Sequence, residues 1–97
     1  SVEVIDVRSI LPFDTEAVLA SAKKTGRVLV AYEDHEFMGF GAEVAAQISD
    51  RAFGYLDAPV KRVAGAFSSI PFADPLEKAV LPFDDDVLGA AREVLAF

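Results

Sequence analysis

The only histidine of the chain, His35, stands in Glu33-Asp34-His35-Glu36, directly after an apolar run and among three carboxylates. Such a set could ligate a metal ion or move a proton. Both tasks need convergence on one point, and metal sites of this kind draw on several nitrogen or sulfur ligands. Consecutive residues of an extended segment point to alternate sides. The chain also has no second histidine and no cysteine to complete a set. The spacing therefore predicts a solvated acidic loop. Such a loop, at the end of a strand where α/β folds usually bind ligands, reads best as an interface.

A second pattern, Gly39-Phe40-Gly41 at a helix start, invites a phosphate-binding reading. The dinucleotide fingerprint wants a third glycine three positions later, and Val44 stands there with no basic residue close by. Close packing of a helix on a sheet explains these glycines better. Phe37, Met38 and Phe40 place large apolar groups in or beside the acidic loop, and Phe67, Phe72 and Phe83 follow in a later irregular region. Some of these are core, and others are expected to form an apolar patch marking a subunit contact. No Ser-His-Asp or Cys-His signature and no Gly-rich P-loop is present. Taken alone, these residues describe an interaction domain rather than a catalyst.

The elements that must carry them alternate. Val2, Val4, Ile5 and Val7 read as a short β-branched strand, stopped by Leu11-Pro12-Phe13-Asp14. Asp14 is placed to cap a helix through Ala17, Val18 and Ala22, which should end at Lys23-Lys24-Thr25-Gly26. Val28 to Ala31 form a near-continuous apolar strand, expected to be buried on both faces. A second helix runs from Gly39 to about Phe53-Gly54, and a third strand covers Ala58 to Ala64. A short helix is expected from Pro75 through Ala79. A last helix follows Asp84 to Asp86 and carries Val87, Leu88, Ala91, Val94 and Leu95 on one face. Strand, helix, strand, helix, strand, helix predicts an α/β fold, three-layered α/β/α with a mainly parallel sheet.

Ninety-seven residues make one small domain, 1–97, with 53% hydrophobic residues and a net charge of −7. That charge repels phosphate backbones, so nucleic acid is not an expected partner and a basic protein is. The longest apolar run, Val28 to Tyr32, is far short of the roughly 20 residues that cross a bilayer. No membrane partner is expected, and a cytoplasmic location is the default.

Several segments in order resemble the C-terminal domain shared by transketolase-like enzymes, most closely the β subunits of 2-oxoacid dehydrogenases such as pyruvate dehydrogenase. The carriers are Val2 to Arg8, Leu11 to Asp14, Lys23 to Arg27, Gly39 to Glu43 and Tyr55 to Val60. Arg62-Val63, Ile70-Pro71-Phe72, Pro75-Leu76-Glu77 and Leu81-Pro82 complete the run. Two places depart from the family pattern. Tyr32-Glu33 stands where the family often has His-Glu, and Met38-Gly39 where it often has a Gly pair, which leaves the subfamily open.

The resemblance implies a parent enzyme that decarboxylates a 2-oxoacid on thiamine diphosphate, with magnesium, and acylates a lipoyl group. The cofactor would be held by other domains, so this chain is expected to bind none and to be inactive alone. Its partners would be the α subunit and second β subunit of a heterotetramer, and the basic subunit-binding domain of the acyltransferase component. Asp57 and the terminal carboxylate of Phe97 are the implied docking residues, with Glu33, His35 and Glu36 as secondary candidates. A eukaryotic parent would place it in the mitochondrial matrix. The chain would be a piece of a longer β subunit, lacking the family's first βα unit, whose strand lies between those matching Val2 to Val7 and Val28 to Ala31. Local logic would instead pair these two strands directly. Alternatives are the equivalent domain of a transketolase or deoxyxylulose-phosphate synthase, or a free-standing binding module.

Overall fold

The computed structural model describes all residues, Ser1–Phe97, and its elements follow from local chemistry in chain order. Helix α1 (Thr15–Thr25) begins where the Asp14 carboxylate accepts the Ala17 amide at 3.1 Å. It ends at Gly26, whose φ of 70° lets its N–H return to the Ala22 carbonyl. Strand β1 (Leu29–His35) follows, then α2 (Phe40–Ala52) and a single 3-10 turn, Phe53–Tyr55. Strand β2 (Lys61–Gly65), α3 (Asp74–Val80) and α4 (Asp84–Ala96) complete the chain. The α4 entry is fixed reciprocally: Phe83 N–H donates to the Asp86 carboxylate at 2.9 Å, and Asp86 N–H returns to the Phe83 carbonyl at 3.0 Å.

β1 and β2 pair in parallel, with Leu29 opposite Lys61 and Ala31 opposite Val63, and the register slips between Ala31 and His35. α1 and α2 pack on one face and α4 on the other, so the three-layer α/β/α expectation holds. The core sits between the helix pair and the sheet. Ala22, Val44, Ile48 and Ala52 are buried there, with Val18, Val28, Val30 and Phe40 packed against them. It is a small core, since 11 of the 97 residues are buried.

Four expectations change. Val2 to Val7 form no strand. The segment is irregular and exposed, and the Glu3 carboxylate is tethered to Lys24 on α1. A strand exists only by pairing with another, and neither β1 nor any other segment pairs with this one. Second, β1 is half-buried rather than buried on both faces, with Ala31, Glu33 and Asp34 exposed. Third, Glu33, Asp34 and His35 belong to β1 itself, not to the loop after it. The third strand also starts later than expected, since Ala58 to Val60 lie ahead of β2.

Candidate functional site

The five residues singled out above divide between opposite ends of the sheet. β1 separates them by about 20 Å of strand.

At the end where the strands begin, Arg27 gathers three elements. Its Nε donates to the Val94 carbonyl in the last turn of α4 at 3.2 Å, and its Nη1 lies 3.5 Å from Oδ2 of Asp57. Asp57 N–H donates to the Gly26 carbonyl at 2.7 Å. A Cβ on Gly26 would sit 2.5 Å from the same Asp57 oxygen, so the turn and the carboxylate are mutually fitted. Lys61 adds a second tie, 2.7 Å from Glu93 on α4. The hydrogen bond and charge of Glu93 hold the Lys61 ammonium above its ordinary pKa. Asp57 keeps an exposed side chain, and Phe97, next to the α4 terminus, is exposed as well. This end therefore presents carboxylates together with the negative pole of a helix.

At the other end, the His35 ring nitrogen lies 2.9 Å from the Ser68 carbonyl, and the ring meets Phe67 edge-on, centroids 5.4 Å apart. Phe37 packs against the opposite loop through Phe67 at 5.1 Å. Glu36 N–H donates to the Gly65 carbonyl at 2.9 Å, extending the strand pairing past β1. Its carboxylate is 3.9 Å from Arg62, which also donates to the Tyr32 hydroxyl at 3.1 Å and to the Glu36 carbonyl. Glu33 is exposed and joins no ion pair.

The helix-packing explanation of the glycines is borne out: a Cβ on Gly41 would overlap the Tyr32 ring, and one on Gly39 the His35 carbonyl. Two functional neighbours escaped the sequence, Arg27 and Arg62. An arginine carries no local signature of partners that lie 67 and 26 positions away.

No group of three or more His, Asp or Glu side chains could hold a metal ion. A groove of about 540 Å³ lies between β2, α3 and α4 and mixes Lys61, Arg62 and Lys78 with Asp85, Asp86 and Glu93. Its carboxylates would oppose a diphosphate. The residues present do not fit thiamine diphosphate and magnesium. No helix is long and apolar enough to cross a membrane.

Helices packed on a parallel pair of strands, with charged side chains gathered at both strand ends, make this a small α/β domain. The chain belongs to the family described as transketolase, C-terminal domain, which matches residues 1–87. It is 47% identical over 92 residues to the pyruvate dehydrogenase E1 component subunit beta of Rickettsia bellii, covering 95% of this chain and 28% of that relative. The subunit of that name in Staphylococcus aureus strain Mu50 is 43% identical over 97 residues, 100% of this chain and 30% of its own length. The mitochondrial one of Saccharomyces cerevisiae is 42% identical over 97 residues, 99% and 26% respectively. The chain thus spans under a third of the length of these relatives.

Proposed function

We propose that this chain is the C-terminal domain, and a piece, of the β subunit of a thiamine-diphosphate-dependent 2-oxoacid dehydrogenase, working in assembly and docking rather than in chemistry. The parent enzyme decarboxylates a 2-oxoacid and passes the acyl group to a lipoyl carrier. Thiamine diphosphate and magnesium are held by its other domains. Its α subunit and second β subunit are the assembly partners, and its compartment is the cytoplasm, or the mitochondrial matrix in a eukaryote. Relatives named as pyruvate dehydrogenase E1 β subunits support this parent.

The observation that carries the docking role is the convergence of Arg27, Asp57 and the end of α4. Arg27 is held by the Val94 carbonyl, so the exposed Asp57 carboxylate and the terminal carboxylate of Phe97 offer negative charge to a basic partner, the subunit-binding domain of the acyltransferase component. Glu33, His35 and Glu36 lie at the far end of β1, about 20 Å of strand from Asp57.

Surface plasmon resonance with that subunit-binding domain tests the reading. Asp57→Asn and Asp57→Lys, together with a short extension beyond Phe97, should each weaken binding, the charge reversal most. Circular dichroism separates this from unfolding. Unchanged affinity in folded variants overturns the docking role. Gel filtration with an E1 α subunit tests the parent, since a transketolase or synthase domain would not associate.

A further inference from the structure

We propose that the C-terminal end of the sheet carries a second, independent docking surface, built by Phe37, Met38 and Phe67, for a protein segment in which large apolar side chains are flanked by Lys or Arg. Three observations meet there. Phe37 and Phe67 come from different loops and pack edge-on at 5.1 Å, yet they remain 61% and 72% exposed. An aromatic pair that joins two loops and still faces solvent is a preformed contact surface.

Met38, beside Phe37 in the chain, is the second observation. It is the only non-glycine residue with positive φ, at 61°, and it is 84% exposed. A glycine would take this backbone conformation without strain, and the methionine adds to the turn only an apolar side chain held out in water. Methionine adapts its shape to apolar partners better than any other side chain.

The third observation is charge. Glu33 and Asp34 stand at the same end of β1 without an ion pair, and Glu36 has only Arg62 at 3.9 Å. Two copies of the chain meeting here would bring these carboxylates together, which disfavours self-association. An anionic lipid surface is disfavoured by the same charges. A segment carrying apolar anchors and basic flanks satisfies both the patch and its rim. This surface lies a strand's length from Asp57, so it does not depend on the docking role proposed above.

Met38 is the sole methionine, so ¹³C-methyl labelling gives one resonance located in the patch. The probe is a synthetic peptide of leucines and phenylalanines flanked by lysines, titrated into the 97-residue chain. Two control peptides replace the lysines by glutamates or the apolar residues by serines. The Met38 methyl should shift and saturate with the first peptide only. Affinity measured by fluorescence anisotropy should fall about tenfold or more in Met38→Gly, which removes the side chain and suits the turn, and in Phe67→Ser. The proposal is overturned by a methyl that stays in place, an equal response to the glutamate peptide, or unchanged affinity in folded Met38→Gly. A shift produced by protein concentration alone, or by phosphatidylglycerol vesicles and not by the peptide, overturns it too.

Discussion

Arg27 and Val94 are 67 positions apart, and the guanidinium of the first donates to the carbonyl of the second at 3.2 Å. The last carbonyls of a helix have no partner within it, so an incoming cation satisfies both their hydrogen-bonding capacity and the negative helix pole. The same guanidinium faces Asp57, which is itself held on the α1 terminus through Gly26. One side chain therefore joins both helical layers to the entry of the sheet.

Replacing Arg27 by alanine should cost about 1–2 kcal/mol, the range for a part-exposed charged hydrogen bond with its stem packing. Lysine should recover less than half of this, having no planar fork to reach both Val94 and Asp57. Urea unfolding gives the totals, and amide exchange in the last turn of α4 should accelerate selectively. A midpoint equal to that of the parent chain would show that the bond contributes nothing in solution.

Gly41 and Gly54 make opposite predictions from the same substitution. A Cβ at Gly41 overlaps the Tyr32 ring, so Gly41→Ala must push α2 off the sheet or displace that ring, at a cost of about 1–3 kcal/mol. Gly54 has open space around its added Cβ and no positive φ. There alanine should be neutral or stabilising by up to about 1 kcal/mol, through the unfolded state. Thermal unfolding of the two variants should bracket the parent. Equal shifts would mean that α2 does not approach the sheet this closely.

What the sequence disclosed and what it hid divide along the range of the interactions. Asp14, Gly26 and Pro75 mark their helix boundaries within a turn of the observed ones, because caps act over three or four residues. The glycines of Gly39-Phe40-Gly41 could be assigned to packing because the phosphate-binding fingerprint they would need is broken at Val44. Val2 to Val7 have the composition of a strand and are not one, since pairing is decided by a neighbour that composition does not contain. The candidate site was legible as residue types but not as geometry. Asp57 and Glu33 fall at opposite ends of β1, and the arginines that organise each end have their partners far along the chain.

The Lys61–Glu93 pair has a definite pH signature. Glu93 raises the Lys61 pKa in the folded chain, so its contribution is fully present below the ordinary lysine pKa and is lost as pH rises through the folded value. Glu3 behaves in the opposite sense. Its hydrogen bonds from Lys24 and Ser21 lower its pKa, and that contribution is lost as pH falls through the lowered value. Both groups are at the surface, so the effects are small and screened by salt. Glu93→Gln should return the Lys61 pKa towards its ordinary value in an NMR titration while leaving Glu3 unmoved. A Lys61 titration indifferent to Glu93→Gln would refute the pair.

The segment from Ser1 to Pro12 offers the sharpest test of the sheet. None of its backbone amides donates to another backbone carbonyl, although Val2 and Val4 are exposed and β-branched. Amide exchange over Val2 to Val7 should therefore run close to unstructured rates, while the amides of β1 and β2 that pair with each other are protected. Deleting residues 1–9 should change stability by less than about 1 kcal/mol, because the segment contributes little buried surface. The same amides should become protected when an extended chain enters beside β1, which is how the parent subunit's additional strand would behave under the function proposed here. Strong protection in the 97-residue chain alone would require a strand partner already present. If that protection grew with protein concentration, a second copy would be supplying it through an open sheet edge.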